Sequence, residues 1–315
     1  MDKGKIAYIF PGQGAQYVGM AKELCVNFKS ADNVFEKANK VLGFDLKSLC
    51  FEGPIKELTK SAVCQPAILT HSIASWEVLK NDFSQLNINP CACAGLSLGE
   101  YSALVACGAI NFEDALRLVH KRGTFMDEAS NVNPGTMSCI LGLDLDKARE
   151  LAKLTGVEIA NLNCPGQIVA AGTKESISKL NEMAQQAKAK RVIPLDVSGP
   201  FHSSLMNSAA EKLKVFLEDV QVNKPVIPFI PNVTGEFLTN EFMIKELLTK
   251  QVSHTTYWQK SVGTLMEQGI TDYFEFGPGR ILRGLLGRID RGLKVVNLGE
   301  SENFLKLKED CRGII

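Results

Sequence analysis

The run Cys91-Ala92-Cys93-Ala94-Gly95-Leu96-Ser97-Leu98-Gly99 constrains this chain more than any other segment. Cys91 to Ala94 read as a short strand of small residues, and a helical stretch follows as far as about Gly108. Between them sits Gly-x-Ser-x-Gly, the pattern of a sharp strand-to-helix turn in which only glycine on either side lets the neighbouring backbone pack close. Such a turn thrusts its serine out of the fold. It also leaves the N–H of Leu98 at a helix N-terminus, where it can stabilise an oxyanion. The pentapeptide is common by itself; the strand before it and the helix after it give it weight and make Ser97 a candidate nucleophile.

The surrounding chain alternates short apolar strands with helical periodicity, which predicts an α/β core with a mostly parallel sheet. Lys5-Ile6-Ala7-Tyr8-Ile9-Phe10 reads as a strand buried on both faces and ending at Pro11-Gly12. Apolar residues at helical spacing follow through Phe28, and again from Val34 to Leu42, with Gly43 as the stop. A further helix is expected from Pro66, and Asn111 is placed to cap another, with Glu113 and Asp114 in its first turn. From about 136 to 197 the order changes to β-α-β-β-α-β, the ferredoxin-like arrangement. The expected organisation is a core of residues 1–130 and 198–315 with an inserted subdomain at 131–197. Near the end, Tyr273 to Phe276 reads as a strand running through Gly277-Pro278-Gly279 into a helix.

Composition excludes several classes. Lys plus Arg equal Asp plus Glu at 35 each, so the basic excess of a nucleic-acid binder is absent. No run of 18 apolar residues offers a transmembrane helix, and only five apolar residues separate the start from Pro11, too few for a signal peptide. Nine scattered cysteines without a Cys-x-x-Cys pair fit reduced thiols in a cytoplasmic protein, not a disulfide framework or a zinc site. No metal is expected.

A nucleophilic serine needs a base, and only four histidines are available. His71 sits among Ile68, Leu69 and Ile73 and reads as packed; His120, beside Lys121 and Arg122, reads as solvent-facing. His202 lies in Ser198-Gly199-Pro200-Phe201-His202-Ser203, a loop between strand and helix, and is the leading candidate. His254 is a weaker one. Arg122 falls on the apolar stripe of Ala115, Leu118, Val119 and Met126, and a cation turned inward needs an anion. An internal salt bridge and a two-pronged clamp for a substrate carboxylate both satisfy that need. Gly12-Gln13-Gly14 lacks the third glycine of a dinucleotide fingerprint, with Tyr17 in its place, and reads as a turn whose N–H groups can face an anionic oxygen. Lys188, Lys190 and Arg191, and separately Arg280, Arg283, Arg288, Arg291 and Lys294, form basic clusters. Each is either a solvated face or a docking patch for an acidic or phosphate-bearing partner.

With these residues in view, the chain closely resembles the malonyl-coenzyme A:acyl carrier protein transacylases of type II fatty-acid synthesis. The resemblance spans nearly the whole length. It rests on Phe10-Pro11-Gly12-Gln13-Gly14, on Gly95-x-Ser97-Leu98-Gly99-Glu100-Tyr101-Ser102, on Arg122-Gly123, on Asn163-x-Pro165-Gly166-Gln167, on Gly199-Pro200-Phe201-His202-Ser203, on Gln251, and on Phe276-Gly277-Pro278-Gly279. It implies an α/β-hydrolase-like core with a ferredoxin-like insert. It implies ping-pong transfer through an acyl-serine at Ser97, with His202 as base, the N–H groups of Gln13 and Leu98 as oxyanion hole, and Arg122 on the malonyl carboxylate. Gln251 would accept the other N–H of His202, and bulky Phe201 would exclude an α-methyl branch. The implied partners are malonyl-coenzyme A and acyl carrier protein, with no resident cofactor. One departure is Leu96, where the family usually has histidine, so no hydrogen bond to substrate or water is expected from that side of the pocket. A serine esterase or thioesterase on the same type of turn is the nearest alternative, and a non-catalytic binding module using the basic clusters is another.

Overall fold

The protein is described by a computed structural model over residues 5–312; the first residues of the segment read for a signal peptide, Met1–Gly4, lie outside the described residues. In chain order the strands are β1 (Lys5–Phe10), β2 (Ala92–Gly95), β3 (Thr136–Leu141), β4 (Glu158–Cys164), β5 (Gln167–Gly172), β6 (Arg191–Pro194), β7 (Phe229–Ile230), β8 (Ile270–Phe276) and β9 (Lys294–Leu298). They form two sheets. The first has the order β7-β2-β1-β8-β9, and every pairing in it is parallel.

Both faces of that sheet are covered, and the strand alternation explains how. Tyr8, Phe10 and Cys93 point into one apolar cluster with the Ser61–Asp82 helix. Ala7, Ile9, Ala92 and Ala94 point the other way, against Trp258, Leu282 and Leu286. A strand buried on both sides must be apolar at every buried position, as β1 is after the exposed Lys5 and β2 is throughout. The second sheet has the order β4-β5-β3-β6 and is antiparallel throughout. Two helices, Leu145–Thr155 and Lys174–Gln186, bury Leu151, Ile177 and Leu180 on it together with Ile140. This is the α/β-hydrolase-like core and ferredoxin-like insert expected from the sequence.

Caps behave as their residue types require. The Asn111 side chain accepts the Asp114 N–H at the start of the Phe112–Val132 helix, and Gly43, at φ 75°, ends the Lys29–Leu42 helix. Three expectations shift. The helical spacing around Val18 does not form a helix; Ala21 takes a left-handed φ of 62° and the helix begins at Lys22. The last strand of the insert stops at Pro194 instead of Val197, and Leu195 to Val197 turn toward the cleft described below.

The third correction joins two residues that sequence treated separately. The helix expected from Pro66 begins at Ser61, with Pro66 inside it. A proline there removes the N–H that would bond the carbonyl four residues back, Ala62. That carbonyl is taken instead by Nδ1 of His120 at 2.8 Å, so His120 is half-buried and bonded, not simply solvent-facing. The two long helices cross closely at this point, because a Cβ on Gly123 would overlap the carbonyl oxygen of Ser61. Ala favours a helix over Gly by about 1 kcal/mol, but forcing helices apart costs about 1–3 kcal/mol. Gly123→Ala is therefore expected to lower the unfolding midpoint; an unchanged or raised midpoint would mean that the crossing tolerates a methyl group.

Candidate active site

The strand-to-helix turn at Ser97 is built by backbone approaching backbone. A Cβ on Gly95 would overlap the Gly99 carbonyl, and one on Gly99 would overlap the carbonyl of Phe10 at the end of β1. A Cβ on Gly12 would lie 2.5 Å from the Leu96 oxygen, so the Gly12-Gln13-Gly14 turn also packs directly on the elbow. Ser97 itself sits at φ 51°, a left-handed conformation that a non-glycine residue holds only under constraint. The constraint is Asn232, buried just after β7. Its Oδ1 accepts the Ser97 N–H at 2.6 Å, and its Nδ2 donates to the Gly95 carbonyl at 2.6 Å. Sequence reading missed Asn232, because Phe229-Ile230-Pro231-Asn232 has only the look of a short apolar turn.

His202, also left-handed at φ 58°, meets Ser97 with Nε2 2.8 Å from Oγ. Its Nδ1 lies 2.7 Å from the main-chain carbonyl of Gln251, which can only accept. The proton is therefore on Nδ1, and Nε2 faces the serine hydroxyl with a free lone pair. Burial, reinforced by the nearby Arg122 cation, pushes the imidazole down to about 3, so it is neutral at working pH. The other histidines lie elsewhere. His71 is packed, bonded through Nε2 to the Gly299 carbonyl at 2.8 Å and pushed down to about 4 by burial. His254 is exposed beside Ser253.

Arg122 is 1% exposed, as its place on the apolar stripe predicts. Among the described residues it makes no direct ion pair. Nη1 donates to Gln65 Oε1 at 2.8 Å and Nη2 to Gln251 Oε1 at 2.9 Å. Nη2 also lies 3.3 Å from Ser97 Oγ, and the guanidinium stands over the Tyr101 ring with its carbon 5.4 Å from the centroid. The internal salt bridge that sequence left open is not formed. Gln251 does more than expected: while its carbonyl serves His202, its Nε2 donates to the Ser97 carbonyl at 2.8 Å and to Glu100 Oε2 at 2.7 Å. Glu100, 1% exposed, is pushed up to about 7 by burial against the opposing pull of those donors and of Arg122. Its part in the site was not foreseen.

These groups open onto a cleft of about 480 Å³ between the two sheets. Gln13, Leu96, Ser97, Arg122, Phe201 and His202 line it, and the insert adds Met137, Asn163 and Val169. Leu98 turns its side chain into the core and stands at the N-terminus of the Gly99–Ala106 helix. Phe201 is 6% exposed, its ring against the wall. Lys188, Lys190 and Arg191 are exposed and take no part in lining the cleft. From the other cluster, Arg288 donates to Gln167, which does line it. Among the described residues no group of His, Cys, Asp and Glu side chains could hold a metal ion. Eight cysteines are free thiols, and the side chain of Cys311 lies outside the described residues.

A serine with a neutral, lone-pair-bearing histidine is equipped for acyl transfer, and similarity to known proteins agrees. Residues 7–276 match the family described as acyl transferase domain. The malonyl CoA-acyl carrier protein transacylase of Bacillus subtilis (strain 168) is 44% identical over 305 residues, 95% of each chain. The crystal structure of the malonyl CoA-acyl carrier protein transacylase from Clostridium perfringens ATCC 13124 superposes with a TM-score of 0.92 at 37% identity, covering 98% of each chain. A malonyl-transacylase solved in complex with its type II polyketide acyl-carrier protein superposes at 0.93, with 38% identity over 97% of this chain and 99% of that one. The chain belongs to the malonyl CoA-acyl carrier protein transacylase family of acyl transferases.

Proposed function

We propose that this protein transfers a malonyl group from malonyl-coenzyme A to the phosphopantetheine thiol of acyl carrier protein, through a malonyl ester on Ser97. The observation that carries the reading is the buried Arg122 cation facing Ser97 Oγ at 3.3 Å, the atom that receives the acyl group. A planar guanidinium at that distance suits an acyl group ending in a carboxylate.

The steps follow from the geometry. His202 Nε2 takes the Ser97 proton as Oγ attacks the thioester carbonyl. The Ser97 N–H is occupied by Asn232, so the developing oxyanion falls to the N–H groups of Leu98 and Gln13. Coenzyme A leaves with the proton from His202, and the carrier thiol then attacks the ester by the same route in reverse. Arg122 opposes an imidazolium at His202 while the pocket is empty; a carboxylate docked on Arg122 offsets that cation and makes His202 a stronger base. In this reading residues 1–130 and 198–315 are the catalytic core and 131–197 the subdomain, with their outermost residues outside the described range. Reduced thiols fit the cytoplasm.

Ser97→Ala should form no malonyl adduct by intact mass after malonyl-coenzyme A, with unfolding unchanged; an adduct on the variant would remove the nucleophile. Arg122→Ala removes the buried partner of the acyl carboxylate, a loss of about 3–5 kcal/mol, or roughly 10²–10⁴ in kcat/KM. Malonyl transfer should fall by that order while acetyl transfer is spared or raised, and Arg122→Lys should restore only part. Equal loss for both donors with lower stability would make Arg122 structural. Phe201→Ser should raise methylmalonyl use relative to malonyl; an unchanged ratio of kcat/KM would discard that role.

A further inference from the structure

Glu100 is buried directly behind the elbow, yet none of the acyl-transfer steps uses it. Two hydrogen bonds reach its carboxyl group, from the Asn232 N–H at 3.1 Å and from Gln251 Nε2 at 2.7 Å, and both fall on Oε2. On its far side Gln251 turns Oε1 to Arg122 at 2.9 Å. Arg122 can only donate, so the Gln251 amide has one possible orientation, with its oxygen toward the cation and its nitrogen toward Glu100. A cation and an acid thus share one buried pocket, held apart by a single amide.

The charge count makes this arrangement consequential. The groups facing Glu100 are Arg122 from the Phe112–Val132 helix, Tyr101 from its own helix, Gln251 from the Ile244–Ser253 helix and, beyond it, His202. Tyr101, pushed up by burial, is a neutral phenol, and His202 is neutral. The empty pocket is therefore electrically neutral only when Glu100 is ionised. An acyl carboxylate on Arg122 would set two anions against one cation in a site shielded from water. A buried group in that position changes its protonation state.

We propose that Glu100 is the counter-charge of the Arg122 pocket: an anion while the pocket is empty, and the group that takes up a proton when an acyl carboxylate docks on Arg122. The proton comes from bulk water and lands on Oε1, which neither donor uses; no other bond changes. Burial has already brought Glu100 to about 7, with Arg122 among the groups resisting a further rise. A carboxylate that engages Arg122 weakens that resistance. Glu100 thereby lets one pocket keep its arginine compensated at rest and still accept an anionic acyl group.

The inference rests on the malonyl reading, and the test separates the two. Native protein is acylated at pH 8 in weakly buffered solution containing a pH indicator, with malonyl-coenzyme A and, in parallel, with acetyl-coenzyme A at concentrations giving equal acyl-enzyme by intact mass. Both donors release the same thiol, so its ionisation cancels in the difference. A group at about 7 is about nine-tenths ionised at pH 8, so malonylation should take up as much as about 0.9 proton more per acyl-enzyme than acetylation. His202, even returned to its ordinary value of about 6.5, contributes almost nothing at that pH. In Glu100→Gln the malonyl excess should vanish for whatever acyl-enzyme forms; the acetyl comparison needs no variant and stands if that protein fails to fold. A malonyl adduct with no excess uptake overturns the role of Glu100 and leaves the transferase reading intact. An excess that persists in Glu100→Gln assigns the proton elsewhere and also overturns it. No malonyl adduct at all ends both.

Discussion

Everything at this site depends on three backbones meeting where no side-chain carbon fits. The Gly99 Cα lies against the end of β1, Gly95 lies against Gly99, and Gly12 lies against the carbonyl of Leu96. That convergence lifts Ser97 into a left-handed conformation and turns its hydroxyl out of the sheet. Strain of this kind costs on the order of 1–3 kcal/mol and persists only where the surroundings over-determine it. Asn232 supplies that determination from a separate stretch of chain, bonding the turn on both sides of the serine. The nucleophile is therefore held by the packing of the parallel sheet and not by its local sequence alone.

The electrostatics of the cleft follow from the same burial. A guanidinium removed from water is expensive unless its hydrogen-bonding groups are met, and here the amides of Gln65 and Gln251 meet Nη1 and Nη2 without cancelling the charge, while Nε stays buried without a partner among the described residues. A direct carboxylate partner would have neutralised the cation and closed it to substrate. Placing Glu100 one amide away gives distant compensation and keeps the guanidinium face toward Ser97 available. Burial, with the same cation adding to it, keeps His202 neutral, so the empty site holds a poised pair without a standing imidazolium.

Much of this was legible in the chain, and the reasons are specific. The elbow shows because its glycines are demanded by sterics, and the inward turn of Arg122 shows because helical periodicity carries it onto an apolar stripe. The order of the insert shows because each of its elements is long enough to express a period. Asn232 did not show, because β7 is two residues long and its neighbours look like an ordinary turn. The start of the Ser61–Asp82 helix was misplaced because proline is usually a beginning, and the partner of the carbonyl it leaves free, His120, is a neighbour only in three dimensions. Glu100 sits in a motif read for its serine, and nothing in its spacing reveals that it and Arg122 share a glutamine.

The bond that sets the tautomer of His202 comes from a peptide carbonyl, that of residue 251. Every amino acid supplies such a carbonyl, so side-chain replacement cannot delete it. An alanine scan would register position 251 only through what its carboxamide does for Arg122, Glu100 and the Ser97 carbonyl. The third member of this catalytic arrangement is thus genetically silent. It belongs to the path of the chain, and selection can reach it only by moving the backbone of the Ile244–Ser253 helix.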